Sequence, residues 1–280
     1  MISHSLRIFL KVAENKSVTT TANELFISQP AVSKAIKILE QRLNVKLFHR
    51  DKRKGLILTD AGEKILLLAR QMENIEERIY QTAFIENNFL GGKVRVASVP
   101  IATTLILSKA LPIYRAKYPA VKVELTEGTP AEVQKMLENY SADFAITYSP
   151  FETFDSEVLI EDEMVGIGSD KTVELHDCIE NIIFCRSGFE VVRNLFKVDV
   201  NKNLVVQNAE TAIKLVEEGN GVVIISKLVL SATRGNANIC KVLPSIKTQL
   251  GLVAYNLNNL TPLASEFVRI IKEVNAQRSS

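Results

Sequence analysis

Long hydrophobic runs are missing from this 280-residue chain. Its longest unbroken apolar run covers residues 65–69, whereas a membrane-spanning helix needs about 20 apolar residues. Near the N-terminus, Arg7, Lys11 and Glu14 interrupt any apolar segment of the kind found in secretory signal peptides. We therefore expect a cytoplasmic protein that has no membrane partner.

Cysteine and histidine are scarce, with three residues of each. Cys178, Cys185 and Cys240 lack the paired spacing of a metal site, and three thiols cannot all form disulfides within one chain. The sequence contains no HExxH, GxSxG, P-loop or Rossmann fingerprint, and its histidines are scattered. We therefore expect no enzymatic activity, no metal site and no cofactor.

Charge is divided unevenly along a chain whose composition is otherwise typical of a soluble globular protein. Residues 1–58 contain eleven Lys or Arg and four Asp or Glu, whereas residues 59–280 contain 23 and 28. A basic head on an acidic body suggests that the head meets a polyanion. The length allows two or three compact units, each with its own core.

The basic head has the pattern of a helix-turn-helix. Apolar side chains recur at helical spacing in residues 3–14 and in a second segment that Ser17 can cap and that runs through Leu25. After a short turn, Ser28 caps a third helix that has Pro30 in its first turn. Two short helices joined by a tight turn, the second with a polar outer face, are typical of a DNA-binding head.

The outer face of this third helix and the hairpin after it form the candidate DNA-binding surface. A helix fits the major groove, where Gln pairs with adenine and Lys donates to guanine. Strand pieces containing Val45, Leu47, Ile57 and Leu58 flank a basic turn at residues 51–55, a wing that can reach phosphates. This basic surface argues against a head that serves only for oligomerisation. The candidate DNA contacts are Ser28, Gln29, Pro30, Ser33, Lys34, Lys37, Arg50, Lys52 and Arg53.

Residues 17–63, "SVTTTANELFISQPAVSKAIKILEQRLNVKLFHRDKRKGLILTDAGE", closely resemble the N-terminal signature of the LysR-type transcriptional regulators. The shared elements are Ala22 in the second helix, the "SQPAVS" start of the third, the "LE" pair, "LF.R" before the wing and "T..G" after it. The resemblance implies a DNA-binding transcriptional regulator that assembles as a dimer or homotetramer on a dyad-symmetric promoter site in double-stranded DNA. RNA polymerase is a further candidate partner.

A long helix without proline is predicted to follow the wing and to end before Gly91-Gly92. Its apolar residues recur at alternating steps of three and four, which forms a heptad seam suited to pairing with another helix. A helix packed only on its own domain is the alternative. The candidate dimerisation residues are Ile65, Leu68, Met72, Ile75 and Ile79.

From Lys93 onward, strands and helices alternate, which favours a parallel α/β body. The pattern predicts separate strands near residues 157–160 and 164–167, a helix over residues 100–117 that Pro112 kinks or divides, and a helix near residues 191–196. Together with the resemblance, this predicts an α/β multidomain protein with a periplasmic-binding-protein-like effector domain. Its parts are a winged helix-turn-helix at 1–58, a linker helix at 59–90, and a two-lobed domain at 91–280, with lobes at about 91–160 plus 261–280 and about 161–260.

Polar residues at the carboxyl ends of the predicted strands form the candidate effector site, because ligands of open α/β sheets bind there. Arg186 is the one cation among them, and it favours a small carboxylate as the effector. The alternative is redox sensing through Cys178 and Cys185, although Cys185 ends an apolar strand, which is typical of an inert thiol. The candidate effector contacts are Ser98, Pro100, Gly128, Thr129, Thr147, Tyr148, Arg186, Ser187 and Asn208.

Overall fold

A computed structural model describes residues 2–51, 55–86, 91–168, 172–174, 182–185, 203–233, 239–243 and 246–278. The chain divides into two compact units. The first unit is Met1–Gly92 with Glu138–Ser141, and the second is Lys93–Leu137 with Ala142–Ser280. No helix among the described residues is long and apolar enough to cross a membrane.

The first unit begins with three capped helices, in agreement with the sequence pattern. Each starts after a serine whose side chain accepts a hydrogen bond from a first-turn N–H, so each helix start is fixed locally. Val32 and Ala35 on the third helix are buried in a cluster with side chains of the other two helices, and Leu39 is buried in a second cluster with side chains of the first helix. The helices are α1 His4–Asn15, α2 Val18–Glu24 and α3 Gln29–Leu43.

A two-stranded hairpin and a long helix complete the first unit: β1 Phe48–Asp51, β2 Gly55–Leu58 and α4 Asp60–Glu86. The predicted hairpin is present, but its first strand begins later than the sequence suggested. Leu47 lies before β1 and is fully buried in the core between α1, α3 and α4, whereas Val45 is exposed. Both were predicted as strand residues, which was wrong, because Leu47 is an apolar anchor of the core and not part of the ladder.

The second unit begins with a strand and a helical segment in three parts, after which strands and helices follow one another. These are β3 Gly92–Ser98, α5 Pro100–Ala102, a π turn at Thr103–Leu107, α6 Ser108–Lys117, β4 Val121–Glu127, α7 Pro130–Glu138, β5 Phe144–Tyr148 and β6 Asp155–Ile167. The remaining elements are β7 Thr172–Glu174, β8 Ile182–Cys185, β9 Leu204–Val206, α8 Ala209–Glu217, β10 Val222–Ser226, α9 Lys227–Ala232, β11 Ile239–Leu243, β12 Lys247–Ala254, a 3-10 turn at Leu257–Asn259 and α10 Pro262–Arg278. The helix predicted near residues 191–196 lies outside the described residues.

The described strands of this unit form a mixed sheet, which corrects the expectation of parallel packing. The order is β4-β3-β5-β12-β6-β10-β8-β9, with β11 beside β6 and β7 beside β11. β3 pairs with β5, and β8 with β9 and β10, in parallel. β6 and β12 are antiparallel to each other and to their outer neighbours β10 and β5, so they join two parallel groups.

β6 is a single strand of thirteen residues, not the two separate strands that the sequence predicted. Residues 155–163 pair with β12, and residues 164–167 pair with β10. Each part lies beside its own apolar core. The first lobe has the core around Tyr114, Phe144 and Phe267, and the second has the core around Ile167 and Val223. Residues 250–254 of β12 are buried in the first lobe's core, which differs from the predicted division at residue 260.

Candidate functional site

Helix α3 has one buried and one exposed face. Its N-terminus is set by the Ser28 Oγ, which accepts a hydrogen bond from the Ala31 N–H at 3.3 Å. Pro30, in the first turn, has no backbone N–H, so it leaves no donor unpaired at this helix start. All the DNA contacts predicted on this helix are exposed, so amide, hydroxyl and ammonium groups lie together on one surface. They are Ser28, Gln29, Pro30, Ser33, Lys34 and Lys37.

The base of the wing is anchored to α3 by a buried glutamate. The Glu40 carboxylate accepts hydrogen bonds from the Lys46 Nζ at 2.8 Å and the Leu47 N–H at 2.9 Å. Burial by itself would raise the pKa of the Glu40 carboxyl, but these hydrogen bonds outweigh it and the pKa is lowered. The predicted contact Arg50 lies in β1, whereas Lys52 and Arg53 lie outside the described residues.

The "T..G" element of the sequence holds the start of α4 against this base. The Thr59 Oγ1 donates to the Lys46 carbonyl at 2.6 Å and accepts from the Gly62 N–H at 2.9 Å. A Cβ at Gly62 would lie 2.2 Å from the Leu47 carbonyl oxygen, so this position requires glycine. The segment just before the hairpin, at Lys46 and Leu47, and the start of α4 are therefore held together by hydrogen bonds of Thr59 and by the close approach at Gly62.

Helix α4 exposes an apolar stripe along the predicted seam. Ile65 packs against the first unit's core, but five apolar side chains further along are 40–63% exposed within the single chain. Such a continuous apolar surface is unusual on a protein that stays monomeric. The exposed members of the stripe are Leu68, Met72, Ile75 and Ile79, followed by Tyr80.

In the second unit, a cavity of about 260 Å³ lies where the two lobes meet. Val99, Pro100 and Thr104 from the first lobe contribute to its wall, and Asn208 and Val229 from the second lobe do so as well. Most of the wall is apolar. Ligand sites usually measure roughly 300–1,000 Å³, so this cavity lies just below that range and has room only for a small molecule.

Of the predicted effector contacts, Pro100, Tyr148 and Asn208 line this cavity. Four others do not. The Ser98 and Thr147 side chains are fully buried, and the Thr129 N–H and Oγ1 are hydrogen-bonded to Glu132 in the helix cap that follows Gly128. Arg186 and Ser187 lie outside the described residues.

A buried polar cluster at the cavity includes two residues that the sequence pattern did not single out, Asp162 and Ser226. The Asp162 Oδ2 accepts hydrogen bonds from the Tyr148 hydroxyl at 3.0 Å and from the Ser226 hydroxyl. Its Oδ1 accepts from the backbone N–H groups of Glu163 at 2.8 Å and Leu228 at 3.2 Å. Burial raises the pKa of Tyr148, and the nearby carboxylate raises it further, so the phenol keeps its proton.

A strand-end signal existed for Ser226 but not for Asp162. Ser226 directly follows the apolar run "VVII" and caps α9, as its Oγ accepts from the Val229 N–H at 3.2 Å. The strand-end rule that selected Tyr148 would therefore have selected Ser226 as well. Asp162 stands in the acidic run "EDE" inside β6, where nothing in the sequence separates it from its exposed neighbour Glu161.

The thiol proposed for redox sensing is inaccessible in this structure. Cys185 is buried at the end of β8, in the core of the second lobe, and Cys178 lies outside the described residues. A buried thiol in apolar surroundings is usually unreactive. Among the described residues, no group of His, Cys, Asp and Glu side chains is arranged to hold a metal ion.

Comparison with known proteins covers nearly the whole chain. Residues 3–63 match the family described as bacterial regulatory helix-turn-helix protein, lysR family, and residues 87–276 match the LysR substrate binding domain. The chain is 41% identical to the uncharacterized HTH-type transcriptional regulator YoaU of Bacillus subtilis (strain 168), over 98% of this chain and 99% of that protein. It is 29% identical to YvbU of the same organism, over 96% and 97%.

Solved full-length structures share the fold. Full-length OxyR from Pseudomonas aeruginosa matches with a TM-score of 0.72 at 16% identity, over 98% of this chain and 94% of that one. CbnR in complex with its target DNA matches with a TM-score of 0.59 at 21% identity, over 98% and 100%. The chain therefore belongs to the LysR family of DNA-binding transcriptional regulators, a family of regulators and not of enzymes, and carries both the helix-turn-helix and the effector-binding domain of that family.

Proposed function

We propose that this regulator binds a dyad-symmetric DNA site as a homodimer or homotetramer and responds to a small carboxylate held between the lobes of its second unit. The observation that carries the proposal is the cavity between two lobes joined by β6 and β12. A ligand that touches both lobes favours one arrangement of the lobes, by no more free energy than its difference in affinity for the two arrangements.

Three successive segments of the chain have separate proposed roles. Residues 1–58 bind DNA, residues 59–90 pair with a second copy, and residues 91–280 bind the effector. The exposed polar face of α3 would enter the major groove, with Gln29 and Lys34 at base edges and Ser28, Ser33 and the wing at phosphates. RNA polymerase is a further proposed partner, and the cytoplasm is the proposed location, as expected for a regulator that meets DNA.

A second copy of the chain is the proposed occupant of the α4 stripe. Leu68, Met72, Ile75 and Ile79 follow one another at heptad spacing and remain exposed in the single chain. Burying such a stripe against its own copy removes apolar surface from water at about 25 cal/mol per Å². Pairing also places two heads on one DNA, as a two-fold site requires.

The cavity supports a carboxylate through the start of α8. The Asn208 Oδ1 accepts a hydrogen bond from the Thr211 N–H at 2.8 Å, so its amide N–H groups are the ones that can donate to a ligand. Ala209, in the first turn of α8, also lines the cavity. Helix N-termini favour anions because their first N–H groups lack partners within the helix. Redox sensing through Cys178 and Cys185 has less support, because Cys185 is buried.

DNA recognition is tested with Lys34→Ala. We expect this change to weaken binding roughly tenfold to a duplex that the unmodified chain selects from a random pool, because Lys34 contributes a base contact. Lys109→Ala is the matched control, since it removes the same charge from an exposed position on α6. Fluorescence anisotropy measures both. Equal effects of the two changes would contradict a role for the outer face of α3.

Effector binding is tested by thermal melting of the full-length chain against small organic acids, with reductant and after mild peroxide. We expect one class of acid to raise the melting temperature in a dose-dependent way. Asn208→Asp should abolish that rise, because aspartate still caps α8 but adds a negative charge beside the ligand. Asn256→Asp changes a capping asparagine outside the described cavity lining and should leave the rise intact.

The alternatives give different results. An unchanged response in Asn208→Asp would contradict the carboxylate site. A shift that appears only after peroxide, and that needs Cys178 and Cys185, would replace the effector proposal with redox sensing.

A further inference from the structure

The hydroxyl hydrogens of the polar cluster at the cavity can all be accounted for. Asp162 accepts from two backbone N–H groups at Oδ1 and from the hydroxyls of Tyr148 and Ser226 at Oδ2. These four donors match the acceptor capacity of an ionised carboxylate, which has about four lone-pair sites and nothing to donate.

Tyr148 and Ser226 each have one hydroxyl hydrogen, and three contacts compete for the two hydrogens. Besides their contacts with Asp162, the two hydroxyl oxygens lie 2.8 Å from each other. Whichever two of the three hydrogen bonds form, both hydrogens stay within the cluster. Both side chains line the cavity, so they can offer a ligand only lone pairs.

Two other hydroxyls on the cavity wall, those of Thr104 and Thr233, are also turned away from a ligand. The Thr104 Oγ1 donates to the Pro100 carbonyl at 3.1 Å, and the Thr233 Oγ1 donates to the Leu230 carbonyl at 2.9 Å. Asn208 can instead donate to a ligand, because its side-chain oxygen already accepts from the Thr211 N–H and its NH₂ group is left to donate. The wall therefore presents amide donors at the start of α8 and acceptors at Tyr148.

We propose that Tyr148 selects the effector by accepting a hydrogen bond from it, so that the regulator responds to small acids that also carry a hydroxyl or N–H donor. The inference rests on the proposed function, in which the carboxylate lies near Asn208, and it names the second polar group of the ligand. Acids with only a carbonyl or ether oxygen at that place are rejected. The lone pairs of such an oxygen would face the lone pairs of the Tyr148 hydroxyl, and the negatively charged Asp162 carboxylate lies next to that hydroxyl.

Asp162→Asn should invert this preference. The backbone N–H groups of Glu163 and Leu228 would keep the amide oxygen in the place of Oδ1, which puts the NH₂ group where Oδ2 now accepts. The NH₂ would donate to the hydroxyl oxygens of Tyr148 and Ser226 and release a hydroxyl hydrogen into the cavity. The cavity would then offer a donor in place of an acceptor.

The test uses hydroxy acids and keto acids with matched carbon skeletons, titrated calorimetrically into the full-length chain. In the unmodified protein we expect the hydroxy acid of a binding pair to bind at least about tenfold more tightly than its keto partner. In Asp162→Asn the hydroxy acid should bind more weakly than its keto partner. Tyr148→Phe is the second variant, in which the hydroxy acid should lose about tenfold in affinity and the keto acid should lose little.

The outcomes distinguish failure of the selection by Tyr148 from failure of the carboxylate site. Equal binding of hydroxy and keto acids to the unmodified chain, or a ratio that neither variant changes, overturns selection by Tyr148 and leaves the carboxylate site in place. Failure of every acid to bind overturns both proposals together. If Asp162→Asn does not fold, the relative affinities of Tyr148→Phe for the hydroxy acid and the keto acid alone decide whether Tyr148 selects the effector.

Discussion

At the scale of single residues, Phe26 is placed unfavourably in the folded chain. It lies in the turn between α2 and α3 with a φ of 53°, and its side chain is 95% exposed. The left-handed backbone region costs an ordinary L-residue about 1–2 kcal/mol, whereas asparagine adopts it more readily. We expect Phe26→Asn to raise the free energy of unfolding by about 0.5–1 kcal/mol, measured by urea denaturation.

The control for this prediction is Phe26→Ala. Alanine removes the same exposed ring but retains a Cβ with no polar group to stabilise the left-handed conformation. If the stability gain came from removing exposed apolar surface, the two variants would gain equally. That result would contradict the backbone explanation.

The strand-end rule selected three residues that line the cavity, but it could not say which side chains at a strand end would enter it. Successive residues of a strand point to opposite faces, so Thr147 and Tyr148 could not both line it. Thr147 is fully buried, and Tyr148 lines the cavity. Asp162 was missed because its role depends on long-range partners on β5, β10 and α9, which no local pattern reveals.

At the scale of elements, an ion cluster joins α6 to α10. The Glu266 carboxylate accepts from Arg269 at 2.6 Å and from the Lys117 Nζ at 2.5 Å. Hydrogen bonds from Arg269 are the largest influence, burial opposes them and Lys117 assists them, and together they lower the pKa of Glu266 to about 2. The carboxylate form is therefore favoured by folding, and the stability that it contributes is lost as the pH falls from about 5 to about 2.

Glu266→Gln should therefore destabilise the protein most near neutral pH. Because the cluster is partly solvated, we expect a loss of about 1 kcal/mol at pH 7, shrinking as the pH falls below about 4. Urea denaturation at a series of pH values measures the difference. Glu273→Gln is the control, since Glu273 also contacts Arg269 but is 55% exposed and should matter little. A Glu266→Gln loss that does not change with pH would contradict an electrostatic origin.

The elements that the sequence placed poorly have specific physical causes. The acidic residues 161–163 divide the apolar pattern of β6 into two pieces, although the strand continues because its partner changes from β12 to β10 there. Pro112 was expected to kink or divide its helix, but it lies inside α6, and the irregularity is the π turn at Thr103–Leu107 before it. Caps and heptad spacing are local signals, which explains why α1 to α4 were predicted well.

At the scale of the whole molecule, the α4 stripe determines the proposed assembly. We expect Leu68→Gln with Ile75→Gln to convert the dimer into monomers at micromolar concentration, because both side chains are more than half exposed in the single chain and would face the partner. Analytical ultracentrifugation measures the change. The fold of the single chain should survive, since neither side chain belongs to its buried core.

Lys64→Gln is the matched control, because it introduces the same amide at an exposed polar position of α4. It should leave the assembly unchanged. If the double variant remains a dimer, α4 is not the principal interface, and another surface must hold the copies together.

The path of β6 and β12 makes the second lobe an insertion in the first. Glu163 pairs with Lys247, and the Met164 N–H donates to the Ile246 carbonyl at 2.9 Å, so the chain leaves the first lobe and returns to it at the same place. Every buried member of the first lobe's core lies outside residues 164–246. In the topology of the first lobe, the second lobe therefore takes the place of the loop of a β-hairpin formed by β6 and β12. A two-residue Asn-Gly turn could close the same ladder and leave a first lobe that keeps its own core but has lost the second-lobe wall of the cavity.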